Sequence, residues 1–102
     1  MLMIRATTPT HKFEMHTDVN NIEQMIITYK QDGDIVLEKH LADVEKGDEW
    51  VRVKLTQEET KLFKDYIPAE VQMRIKTNGG NVVASKIMKV TIGEILNDEV
   101  MA

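Results

Sequence analysis

No cysteine occurs in the chain, which excludes disulfides, thiolate nucleophiles and thiolate metal ligands. A small domain of this kind must be held by its core and backbone pairing alone, and a reducing environment suits it. No apolar run approaches the ~18 residues of a membrane span, and no charged segment leads into an apolar one as in a secretory signal, so the chain is expected to be soluble. Positive charge is not in excess: 13 Lys and Arg stand against 17 Asp and Glu, for a net charge of -4. That balance removes any global attraction to nucleic acid or anionic lipid. Aromatics make up only 5% of the residues, and the single serine is Ser85. What remains is 102 residues, 42% of them hydrophobic, which is enough for one domain with one core.

Two-residue alternation, not a 3.6-residue period, dominates the hydrophobic pattern, in short runs separated by turn residues. Leu2 to Ile4 reads as an edge strand, ended where Pro9 removes a ladder donor. His11 to His16 alternates, with Phe13 and Met15 on one side and Lys12, Glu14 and His16 on the other. Gln24 to Lys30 is a nearly continuous β-favouring run, expected to be a central strand buried on both faces. Gln31-Asp32-Gly33-Asp34 signals a hairpin into Ile35 to Glu38. Residues 39 to 49 read as a crossing loop with room for one short strand or turn.

From Trp50, Val51, Val53 and Leu55 face one way while Trp50, Arg52 and Lys54 face the other. Thr56-Gln57-Glu58-Glu59 has the form of a capping box, predicting a short helical turn over about 57–64 that stops before Pro68. Ala69 to Thr77 is the cleanest strand, closed into a hairpin by Asn78-Gly79-Gly80-Asn81. The last strand, Val82 to Ile92, changes parity near Ser85 and Lys86, as a bulge would make it do. The pattern predicts an all-β, immunoglobulin-like antiparallel sandwich of about seven strands, with a small open barrel as the alternative. The domain is expected to span 1–93, followed by a tail over 94–102. Ile95, Leu96, Val100 and Met101 in that tail could dock on the same domain, pair with a neighbouring subunit or stay disordered.

Reaction chemistry finds little to work with. His11 and His16, five residues apart on a strand, point to opposite faces, so with His40 they are read as solvated positions and not as metal ligands. Ser85 lacks the Gly-flanked turn of a hydrolase nucleophile, and the helix N-terminus already explains Glu58 and Glu59. No catalytic residue, cofactor, metal or small-molecule substrate is expected. The candidate interaction surface comprises Trp50, Arg52, Lys54, Arg74, Lys76 and Lys89. Gln72, Arg74 and Lys76 are placed beside Lys86 and Lys89 on the last hairpin, a stripe suited to an acidic partner but without the aromatic interleaving of an oligonucleotide platform. Trp50 is weighed evenly between an interface anchor and packing beneath the preceding loop. Met25, Met73 and Met88 are expected as core filler.

Several stretches taken in order carry a resemblance: Ile4-Arg5-Ala6-Thr7-Thr8-Pro9-Thr10-His11, Ile26-Ile27-Thr28-Tyr29 and Val53-Lys54-Leu55-Thr56-Gln57-Glu58-Glu59-Thr60. Val71-Gln72-Met73-Arg74-Ile75 with Gly79-Gly80, and Ile95-Leu96-Asn97-Asp98-Glu99-Val100, complete it. Through them the chain resembles small proteins of about 100 residues from the tail regions of phages and prophages of Gram-positive bacteria. At the level of fold it is similar to the immunoglobulin-like N-terminal modules of phage upper baseplate proteins. The resemblance implies no catalytic residue. It implies a tail or baseplate accessory protein that docks to other virion proteins or to itself, located in the virion or in the host cytoplasm during assembly. An assembly factor absent from the mature particle, and a host-surface carbohydrate-binding module using Trp50, are the alternatives.

Overall fold

A computed structural model describes residues 1–102 and contains two facing sheets. The larger follows the order β1 (Leu2–Ile4), β9 (Met88–Gly93), β7 (Ala69–Thr77), β3 (Ile22–Gln31), β4 (Asp34–His40), with β8 (Val82–Ala84) also paired to β7. The smaller has the order β2 (Thr10–Glu14), β6 (Trp50–Lys54), β5 (Glu45–Lys46). In immunoglobulin terms β2, β5 and β6 stand as strands B, D and E, while β3, β4, β7 and β8–β9 stand as C, C′, F and G. The edge strand β1 runs parallel to β9, and every other pairing is antiparallel. This is an immunoglobulin-like β-sandwich.

Alternation places the core. From the larger sheet, Met3, Met25, Ile27, Tyr29, Val71, Met73, Ile75, Val90 and Ile92 point inward to meet Phe13, Met15, Val51, Val53 and Leu55 of the smaller. The expected core methionines are there, with Met88 half-buried against the cluster. The β3–β4 hairpin turns through Asp32 and Gly33, both at positive φ (51° and 83°), as a two-residue turn matched to strand twist requires. The expected capping box is formed: Thr56 Oγ1 accepts from the Glu59 N–H, and Glu59 Oε1 accepts from the Thr56 N–H. The helix itself, α1, is shorter than expected, Gln57–Thr60, because the backbone bonds that follow tighten to i→i−3, from the Leu62 N–H to the Glu59 carbonyl and from the Phe63 N–H to the Thr60 carbonyl.

The parity change in the last strand is a one-residue bulge. Between Arg74 and Val71 on β7, a span of three positions, the partner strand advances four, from Ala84 to Met88. Ser85 fastens the interruption: its N–H donates to the Met73 carbonyl, its hydroxyl accepts from the Met73 N–H, and its carbonyl accepts from the Gln72 side chain. Two expectations are corrected. Strand β3 is central but not buried on both faces, since Ile26 and Thr28 are half-exposed on the outer side, where no third layer lies. His11 is not solvated; it shares the inward parity of Phe13 and is 4% exposed.

Candidate interaction surface

The six candidate residues fall on two opposite faces. Arg74, Lys76 and Lys89 lie on the outer face of the larger sheet, whereas Trp50, Arg52 and Lys54 lie on the outer face of the smaller. No single contact can use both groups.

On the smaller sheet, Trp50 is half-buried among its own neighbours. The Arg52 guanidinium carbon lies 4.7 Å and the Lys12 Nζ 5.1 Å from an indole ring centroid, both within cation–π range. Glu45 pairs with Arg52 from the adjacent strand. Gly47 of the preceding loop packs so closely that a Cβ there would sit 2.0 Å from indole Cε2. The indole is thus packed by two cations and a glycine of the preceding loop while one part of it stays exposed, and Lys54 is exposed at the strand end.

The larger sheet presents a broader surface. The register sets Arg74 beside Ile26 on β3 and Ala84 on β8, Lys76 beside Gln24 and Val82, and Lys89 opposite Glu70. Lys76 lies 3.9 Å from Glu23, whereas Arg74, Lys89 and Lys30 have no carboxylate within ion-pair distance. Lys86 is exposed in the bulge segment, outside the paired ladder. Apolar groups interleave the cations: Val82 and Ile87 are more than half exposed, and Ile26 is half-buried. Shallow depressions of about 260 and about 170 Å³ lie on this face, one lined by Ile26, Arg74, Lys76 and Val82 and the other by Lys30, Glu70, Gln72 and Ile87. A polar face on which Arg74, Lys30 and Lys89 lie among Ile26, Val82 and Ile87, with Glu70 and Glu38 also on it, is equipped to meet a partly apolar surface that brings its own carboxylates to Arg74.

Inside, the groups that sequence reasoning missed are structural. His11 Nδ1 and the Tyr29 hydroxyl are 2.6 Å apart, and the Tyr29 ring meets Phe63 edge-on at 5.9 Å. Burial, and secondarily the nearby N-terminal amine, holds the His11 pKa below its ordinary 6.5. Burial, then the charge of Glu59, pushes the Tyr29 hydroxyl well above its usual range. Gln31 is buried at the end of β3, where its amide nitrogen donates to the Lys64 and Ile67 carbonyls and its oxygen accepts from the Lys64 N–H. Glu59 pairs with Lys39, which faces inward from β4. Burial would raise the Glu59 pKa, but the hydrogen bonds from Lys39 and Thr56 prevail and lower it. His16 and His40 are exposed, and no three His, Asp or Glu side chains stand close enough to hold a metal ion. No helix is long and apolar enough to cross a membrane.

No family model matches the chain, and no curated protein matches it. Among solved structures it is similar to the immunoglobulin-like domain of mouse leukocyte-associated immunoglobulin-like receptor 1, described as a strand-swapped dimer. The TM-score is 0.51 at 11% identity, over 92% of this chain and 88% of that one. The V domain of amphioxus IgVJ-C2 aligns over 92% of this chain and all of that one at 11% identity, with a TM-score of 0.37. The first likeness agrees with the fold derived above.

Proposed function

We propose that residues 1–93 form a non-enzymatic docking module, with 94–102 as an appendage, and that the module belongs to a phage tail or baseplate, where it binds other virion proteins. The observation that carries the docking role is the outer face of the larger sheet, where Arg74, Lys89 and Lys30 lie unpaired among Ile26, Val82 and Ile87. An immunoglobulin-like sandwich suits such a role, because its sheet faces and edges are available for contact while its interior is filled. The phage assignment rests on the sequence resemblance. The mouse receptor domain named above is a strand-swapped dimer, and a second copy of this chain belongs among the partners proposed here.

The test is incorporation into particles. Mass spectrometry of purified virions is expected to detect the protein, and Arg74→Glu with Lys89→Glu is expected to reduce its incorporation at least tenfold while leaving the thermal unfolding midpoint unchanged. Wild-type protein found only in lysates, never in particles, would overturn the virion assignment in favour of an assembly factor. Incorporation unaffected by the two charge reversals would remove the outer face from the contact.

A further inference from the structure

The smaller sheet has an unpaired edge that sits above an uncovered part of the larger one. Strand β2 pairs with β6 alone. The Leu55 N–H donates to the Pro9 carbonyl and the Met15 N–H to the Glu49 carbonyl, so the odd-numbered residues of β2 bond toward β6. Thr10, Lys12 and Glu14 therefore turn their N–H and C=O groups outward, and all three are exposed. Across the interlayer gap, β8 pairs with β7 alone. Val83, opposite the inward-facing Ile75, points to the core side but is 52% exposed because nothing lies over it. Between the two edges runs an apolar cleft of about 290 Å³, lined by Met15, His16, Met73, Ile75, Val83 and Ser85.

The cleft is walled by Glu14 to Thr17 at the end of β2 and by Val83 to Ser85 of β8 and its bulge, so a single extended segment added beside β2 would meet Val83.

One segment of this chain has the required character. Residues 94–102 form no ladder, and they carry apolar side chains in water, with Leu96 98% and Met101 78% exposed. The segment is held by two anchors: Asp98 on Arg5 at 3.4 Å, and the Gln57 amide, which donates to the Met101 carbonyl and accepts from its N–H. It already offers its main chain in the way an added strand does. It cannot reach the cleft of its own molecule. Gly93 lies beside Ile4, ten residues along the β8–β9 ladder from Val83, about 30 Å. The eight residues from Gly93 to Met101 span at most about 29 Å fully extended and would first have to reverse direction.

We infer that residues 94–102 of a second copy add as a strand to the free edge of β2, with Val100 or Met101 seated in the cleft over Val83. This self-association specifies the second-copy partner named above; it uses neither the outer sheet face nor the other virion proteins, and its failure would leave the contact on that face standing.

Complementary variants of the full chain test it. Val83→Lys spoils the cleft but keeps the donor segment; Val100→Asp with Met101→Asp spoils the donor but keeps the cleft, and none of these positions is in the core. By sedimentation velocity over a series rising to millimolar, the wild type is expected to associate. Each variant alone is expected to lose at least tenfold in association constant with circular dichroism unchanged, and mixing the two is expected to restore association. In the wild type, amide shifts should concentrate at Lys12, Glu14 and Val83. A wild type that stays monomeric throughout, a folded donor variant that associates as the wild type does, or a mixture that fails to associate would each overturn the inference. Should Val83→Lys not fold, Glu14→Pro at the β2 edge takes its place, since the Glu14 N–H points away from β6 toward the incoming strand.

Discussion

Acidification should destabilise this domain in a window set by one buried histidine. His11 is enclosed between the sheets, its Nδ1 is engaged by the Tyr29 hydroxyl, and its Nε2 has no partner, so a proton on the ring would place a charge where nothing stabilises it. The folded-state pKa therefore lies below the 6.5 of the unfolded chain. As pH falls through 6.5 the unfolded state takes up a proton that the folded state refuses, and stability declines with falling pH until the folded pKa is reached. One group changes stability by at most about 1.4 kcal/mol per pH unit, so the loss by pH 5 is bounded at about 2 kcal/mol. For a domain of this size that corresponds to a fall of roughly 8–16 °C in Tm.

Urea unfolding followed by Trp50 fluorescence between pH 7 and 5 measures the effect. His11→Gln, although less stable overall, should flatten the dependence, while His16→Gln, at an exposed site, should leave it intact. Glu59 does not confuse the window: its lowered pKa contributes stability above the ordinary 4.5, which is lost only as pH falls further. Equal slopes in wild type and His11→Gln, or stability that rises on acidification, would refute the reasoning.

Other perturbations have separate readouts. Gly47→Ala forces a methyl into the Trp50 indole and should cost about 1–3 kcal/mol by overpacking, with a changed tryptophan emission maximum. Thr56→Ala removes the helix cap and should cost about 1 kcal/mol in urea unfolding. Gln31→Ala leaves the Lys64 N–H and two carbonyls without partners; a loss of about 2 kcal/mol, and faster amide exchange over residues 64–67, are expected.

Strands whose two faces meet different surroundings were the legible ones. Ala69 to Thr77 alternates without interruption, and its boundaries in the structure match those read from the pattern. Turn chemistry located both hairpins because Gly33 and Gly80 take positive φ, which marks a turn independently of anything distant in the chain. The bulge was visible as a parity change, but its stabilisation by Ser85 was not, because that depends on which atoms of β7 come to face it.

Polar residues inside were misread for the same reason. The parity of His11 with Phe13 and Met15 was available, yet a solitary histidine reads as solvated until its partner, 18 residues away on the other sheet, is known. Gln31 likewise looked like a turn flank, although it closes a loop more than 30 residues on. Of the candidate surface, the outward parity of each residue was legible. Its division between two opposite faces was not, because assignment of strands to sheets is a long-range property.

Amide hydrogen exchange along β2 in dilute protein tests most directly the claim that this sandwich keeps an open edge. Alternation is expected: the His11, Phe13 and Met15 amides, turned toward β6, should be protected, and those of Lys12 and Glu14 should exchange at near-unprotected rates. Uniform protection from Thr10 to Met15 at that dilution would mean that the edge is already covered within the molecule, and the account would be wrong.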